Sequence, residues 1–103
     1  MAQQHIYTDT DQLVLLLKAR QIGRKSHMIN ASDIQRISFA NYMHPKFLGL
    51  VEKPARKIQI MAKGIGMTEF LEPEEKEFFE TYLVELRKFC KDNRVTFYDF
   101  PEE

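Results

Sequence analysis

The chain has 103 residues, 44% of them hydrophobic and 29% charged, which fits one folded domain and excludes a disordered or low-complexity chain. Its longest apolar run, Leu13–Leu17, is far shorter than the ~20 residues needed to cross a bilayer, and Met1-Ala2-Gln3-Gln4-His5 shows no basic stretch leading into an apolar one, so no secretory leader is expected. Basic and acidic residues balance at 15 each, and the one cysteine, Cys90, excludes an intrachain disulfide and fits a reducing, cytoplasmic setting.

In chain order, His5–Thr8 is a weak strand candidate, and Leu13–Leu17 reads as a central strand buried on both faces. His27–Asn30 is another weak strand candidate, and Asn30-Ala31-Ser32-Asp33 reads as a turn. Ile34–Tyr42 reads as a strand with Ile37 and Phe39 inward. A break is expected at His44-Pro45, then a strand over Phe47–Val51 and a loop over Glu52–Ala55. Lys57–Lys63 alternates, with Ile58, Ile60 and Ala62 on one side, which is the pattern of a half-buried strand. Gly64-Ile65-Gly66 turns it into a hairpin partner, Met67–Leu71.

The last third changes period. Phe79, Tyr82, Leu83, Leu86, Phe89 and Cys90 follow the three-and-four step of one helix face. The spacing predicts a helix over 73–92. Pro73 would sit in its first turn, Glu74, Glu75 and Glu77 at the positive end of its dipole, and Lys88 and Lys91 at the other. Asn93 would close it in the left-handed conformation. Residues 94–100 have high β propensity up to Pro101 and read as a short terminal strand or tail. Phe79, Leu83, Leu86, Ile37, Phe39, Ile58, Ile60, Leu15 and Leu17 are the expected core.

The zero net charge hides a segregation. Residues 18–63 carry +8 and residues 69–103 carry −6. Such a chain presents one basic and one acidic face if the fold keeps the halves apart, which bears on partners rather than on fold.

The layout is that of an α+β domain: a curled antiparallel sheet or open barrel of about six or seven strands, plugged by one C-terminal amphipathic helix. Three segments carry a resemblance. They are Ile6-Tyr7-Thr8-Asp9-Thr10-Asp11-Gln12-Leu13, the Asp33-Ile34-Gln35-Arg36-Ile37 strand entry, and the run from Glu72-Pro73-Glu74-Glu75 through Leu83 and Leu86. In these the chain resembles bacterial pleckstrin-homology-like domains over most of its length. The resemblance implies a single domain over 1–103; that wider fold family serves many functions, so the fold alone does not choose one. A terminal strand beyond the helix departs from the usual ending of those domains.

Two basic clusters stand out. Lys18, Arg20, Arg24 and Lys25 bracket the Gln21-Ile22-Gly23 turn, where converging cations suit the phosphates of a polyanion. Lys53, Arg56, Lys57 and Lys63 form the second. Tyr42, Phe47 and Phe70 read as core more readily than as a stacking platform, which argues against nucleic acid. Arg20-x-x-x-Arg24 followed by Asn30-x-Ser32 resembles the motif of PilZ-type cyclic-dinucleotide receptors, but Gln35 stands where that motif has Gly.

Other chemistry finds little support. His5, His27 and His44 are scattered, so no metal site is expected. Cys90 reads as a small buried hydrophobe with no His partner. Glu72, Glu74, Glu75, Glu77 and Glu80 read as a solvated acidic face rather than an acid–base pair.

The expectation is therefore a non-enzymatic binding or assembly module without a cofactor. It would use the basic sheet and loop surface toward an anionic or acidic partner: another protein, a second copy in a homo-oligomer, or an anionic membrane surface met peripherally. The alternative is a regulatory domain for a small cyclic-dinucleotide or phosphorylated effector.

Overall fold

Strand alternation and one helix period together build the fold. A computed structural model describes residues 3–19, 23–46 and 49–99. In order they form β1 (Ile6–Thr8), β2 (Gln12–Ala19), β3 (Gly23–Asn30), a 3-10 turn (Ala31–Asp33), β4 (Ile34–Lys46), β5 (Val51–Ala62), β6 (Gly66–Leu71), α1 (Phe79–Asn93) and β7 (Phe97–Asp99). The domain is α+β, as the sequence suggests. Strands β1-β2-β3 make one antiparallel sheet and β6-β5-β4-β7 a second. The two do not close into a barrel, and α1 covers the space between them.

The inward sets match the periods. Ile58, Ile60 and Ala62 of β5 are buried, as are Ile37 of β4 and Leu15 of β2, while Leu17 and Phe39 pack at the core margin. On α1, Phe79, Tyr82, Leu83, Leu86, Phe89 and Cys90 are all buried. Gly64 and Gly66 turn β5 into β6 with φ of 95° and 69°, a region that costs a side-chain-bearing residue about 1 kcal/mol or more.

Several expectations are corrected. The helix begins at Phe79, not at Pro73. Residues 72–78 instead form successive turns, in which the N–H groups of Glu74 and Glu75 bond to the carbonyl of Leu71 and that of Phe78 to Glu75. The segment has to carry the chain from the β6 edge to the open end of the sheets, and the apolar helix period indeed has no member before Phe78. At the other end the left-handed residue is Arg94 (φ 57°), with the Val95 N–H bonding back to the Cys90 carbonyl at 2.9 Å. Asn93 uses its side chain instead, donating to the carbonyls of Thr10 and Phe89 at 3.0 Å each.

Strand β2 is buried on one face only. Val14 and Leu16 alternate with the buried Leu13 and Leu15 and are only half-buried. Strand β7 pairs parallel to β4 over Ile37–Phe39, so the strands are not all antiparallel; α1 supplies the long connection that parallel pairing requires.

His44-Pro45 does not break β4, and Glu52–Ala55 is strand rather than loop. Of the expected 47–51 strand, Phe47 and Leu48 lie outside the described residues and β5 starts at Val51. The prolines are tolerated for a geometric reason. The backbone N–H and C=O of Arg56 point away from β4, toward Glu72. Pro54 shares that direction two residues earlier, and Pro45, opposite Glu52, lies on a rung of the same kind. Both prolines therefore lack a donor only at a free edge.

Beyond the sheet, β4 and β5 continue as a ribbon. β6 pairs with β5 only over Lys57–Ala62, and β7 with β4 only over Ile37–Phe39. Residues 41–46 and 51–56 thus pair in the ladder only with each other, an arm of roughly 20 Å. The radius of gyration, 14.0 Å, exceeds the about 13 Å of a compact chain this long.

Burial on α1 sets a contrast that denaturation can check. Leu86→Ala should lower unfolding free energy by about 2–5 kcal/mol, whereas Val84→Ala, on the exposed side of the same helix, should stay within about 0.5 kcal/mol. Equal losses in urea titrations would contradict this orientation of the helix.

Candidate functional site

The acidic segment that follows β6 runs between the two basic clusters and pairs with both. On one side Glu74 lies 3.8 Å from Nζ of Lys18, a long contact between exposed groups. Arg24 donates to the Leu16 carbonyl at 2.8 Å and lies 3.9 Å from Glu75. On the other side Lys57 reaches Glu69 at 3.2 Å. Arg56 pairs with Glu72 through its Nε at 3.1 Å and its terminal nitrogen at 2.6 Å, and also with Glu80. The guanidinium of Arg56 lies over the rings of Phe79 and Phe39, 5.1 and 5.8 Å from their centroids. Lys18, Arg24, Arg56 and Lys57 are therefore matched inside one chain.

Glu75 is not part of a solvated face. It is 3% exposed and joins a closed ring of hydrogen bonds. The Nδ1 of His5 lies 2.9 and 2.8 Å from the two carboxylate oxygens. The Tyr82 hydroxyl donates to Oε1 at 2.8 Å and accepts from the His5 backbone N–H at 2.8 Å. Burial first, and then the Glu75 carboxylate, push the Tyr82 hydroxyl well above its ordinary value, so it remains a donor. The ring clips the residue before β1 to the start of α1. Its donors and acceptors are used on one another, which is the condition for a buried polar group to be tolerated.

Three clefts border this frame. The first, about 330 Å³, takes in Lys18 and Arg24 but also Glu69, Glu74 and Glu75. An anion entering it would meet more carboxylates than cations. The second, about 660 Å³, lies along the end of α1 and is rimmed by Asp9, Glu85 and Asp92 with Lys88. The third, about 580 Å³, lies at the base of the arm between His44, Lys53, Pro54 and Ala55 on one side and Glu72, Pro73 and Lys76 on the other. Glu72 is already held by Arg56, so the uncommitted charge there is positive. Lys53 and Lys76 are exposed and make no ion pair among the described residues. The Tyr42 hydroxyl lies 2.7 Å from Nδ1 of His44. Burial, followed by the charges of Glu74, Glu72 and Glu69, raises its pKa above the ordinary tyrosine value.

The structure thus divides the expected basic residues. Lys18, Arg24, Arg56 and Lys57 are drawn to carboxylates of the same chain. Lys25 makes no ion pair among the described residues, and Arg20 lies outside them. Lys63, past the end of β5, is ten residues from Lys53, roughly 30 Å along a strand, and does not join it. Arg24 and Asn30 stand at opposite ends of β3, so the two halves of the cyclic-dinucleotide pattern are not brought together. Lys76 belongs to the cationic cleft yet was not expected there, because a helix from Pro73 would have placed it among helical carboxylates. The signal that locates it is the onset of the apolar period at Phe79.

Phe70 is buried and Tyr42 half-buried against His44, so neither offers an open stacking face. Cys90 is buried, and burial pushes its thiol up to about 11, which leaves little reactive thiolate at neutral pH. Among the described residues no cluster of His, Cys, Asp and Glu is arranged to hold a metal ion, and no helix is long and apolar enough to cross a membrane. Comparison with family models, curated proteins and solved structures finds no match to this chain.

The pairs give two expectations. The hydrogen bonds from Arg56 hold the Glu72 carboxyl below its ordinary value of 4.5. Because the folded state favours the ionised form, that stability is full above the unfolded value and is lost as pH falls through the lower folded one. Glu72→Gln should therefore flatten the acid limb of a stability–pH profile below about 4.5; an unchanged limb would show that the pair contributes nothing. Separately, Glu75→Ala strands the Tyr82 hydroxyl and should cost roughly 1.5–3 kcal/mol in urea unfolding, and a change under about 0.5 kcal/mol would contradict the clip.

Proposed function

We propose that the protein is a non-enzymatic binding module that meets an anionic or acidic partner through the cationic cleft at the base of the β4–β5 arm. The observation that carries this reading is the distribution of committed and uncommitted charge. Lys18, Arg24, Arg56 and Lys57 are engaged by Glu74, Glu75, Glu72 and Glu69, whereas Lys53 and Lys76 line one cleft with His44 and make no ion pair among the described residues, the cleft's one carboxylate, Glu72, being bonded to Arg56 and only near the charge of Lys53. Cations left unpaired and held on opposite walls favour an anion supplied from outside.

The arrangement gives catalysis little support. Among the described residues the one histidine–carboxylate contact, His5 to Glu75, is closed on Tyr82 and the His5 backbone, and no serine or cysteine is bonded to it. The resemblance to bacterial pleckstrin-homology-like domains is compatible with binding but, in a fold family of many functions, does not select it.

Retention on a sulfated polysaccharide column at low salt tests the reading. Lys53→Ala with Lys76→Ala should weaken binding by about tenfold or more, each lysine near an anionic surface contributing about 1 kcal/mol, while Lys18→Ala should change it little. Wild-type protein that is not retained, or a double variant retained as strongly, would remove this cleft as the contact.

A further inference from the structure

We infer that the anionic partner is the surface of a lipid bilayer, entered by the apolar side chains of the β4–β5 arm while Lys53 and Lys76 meet the headgroups. The inference rests on the cationic cleft being a contact surface, and it adds what that surface touches. The first observation is exposure without a role in folding. Leu50 is 85% exposed, Met43 50% and Val51 49%. Val51 lies on the ribbon face that carries His44 and Lys53, Met43 on the opposite face, and Leu50 at the turn that leads into β5. Other exposed apolar residues, such as Met28 and Val84, stand singly, whereas Leu50 and Val51 are adjacent at the end of a projection, the arrangement that marks a contact surface.

The second observation is what the arm excludes. A ribbon with free edges commonly recruits another strand. Here Pro45 and Pro54 remove one donor from each free edge, as set out for the fold above. The arm is therefore blunted against strand addition and left to act through its side chains. The third is charge. His44 and Lys53 face each other across the ribbon, and Lys76 stands across the cleft. Glu52 is the one carboxylate of the arm, and Glu72 is held by Arg56. An aqueous polyanion would satisfy the lysines but give no place to Leu50, Met43 and Val51. A second copy provides poor hollows for them, since the clefts elsewhere on the chain are lined mainly by charged and polar side chains. An anionic bilayer supplies both requirements in one plane: apolar depth about 5–10 Å below the headgroups and negative charge above it.

The chain has no tryptophan, so Leu50→Trp installs a single reporter. Co-sedimentation and fluorescence would be measured on phosphatidylcholine vesicles with and without phosphatidylserine, at low and physiological salt. The expected result is binding to the phosphatidylserine vesicles alone, with a blue shift of the Trp emission. Leu50→Glu with Val51→Glu should weaken that binding by about tenfold or more, as should Lys53→Glu with Lys76→Glu. Binding that survives Leu50→Glu with Val51→Glu, with no emission shift, would reduce the effect to electrostatic adsorption and overturn the insertion, leaving the cleft intact as a contact. No vesicle binding by a protein that still needs Lys53 and Lys76 to hold the sulfated polysaccharide would overturn the bilayer and keep the binding module. Loss of both would end the two readings together. Self-association in sedimentation velocity that Leu50→Glu abolishes would assign the tip to a second copy and overturn the inference.

Discussion

The guanidinium of Arg56 joins four parts of the molecule at one point. It leaves β5, grips Glu72 with two nitrogens, reaches Glu80 on the first turn of α1, and lies over Phe39 and Phe79. Arginine suits this position where lysine would not, because its planar fork can pair with a carboxylate edge-on and still present a face to an aromatic ring. The contact closes the core at the end where the sheets part. It also fixes where the helix starts, since Glu72 is held to the edge of β5 and the chain needs the turns after it to reach Phe79. Past Arg56 neither β6 nor β7 pairs with β4 or β5 among the described residues, so the arm begins where this interaction ends.

The segregated charge of the sequence takes on a different meaning in that setting. A +8 stretch and a −6 stretch suggest opposed faces available to partners. The fold instead threads the acidic segment between the basic clusters, so that Lys18, Arg24, Arg56 and Lys57 pair within the chain. Individual pairs of this kind at the surface contribute little, about 0–1 kcal/mol. Their effect on specificity is larger: they remove Lys18, Arg24, Arg56 and Lys57 from the uncommitted set, and of the cations left without an ion pair among the described residues Lys53 and Lys76 are the two that line one cleft.

Much of the fold was legible because it rests on period. The β5–β6 hairpin follows from alternation through Ile58, Ile60 and Ala62 and from two glycines. The buried face of α1 follows from the step linking Phe79, Tyr82, Leu83, Leu86, Phe89 and Cys90. What stayed hidden depended on distant contacts or on direction. Pro73 and its glutamates look like a helix start, yet Glu75 is drawn inward by His5, 70 residues away, which no local pattern reveals. Pro45 and Pro54 look like breaks because propensity does not record which way a strand's N–H groups point. The parallel pairing of β7 depends on where the helix delivers the chain. Of the candidate site, Lys53 was legible as a basic residue, but its separation from Lys63 and its meeting with Lys76 required the extended β5 and the late helix start.

Hydrogen–deuterium exchange of the intact protein, with and without a bound polyanion, tests most directly whether the arm end is the contact surface. Protection concentrated on β4–β5 residues 41–56 and on the 73–76 turns, with β2 and β3 unchanged, is the expected result. Protection centred on the Lys18–Lys25 hairpin, with the arm unaffected, would contradict it and return the contact to the first basic cluster.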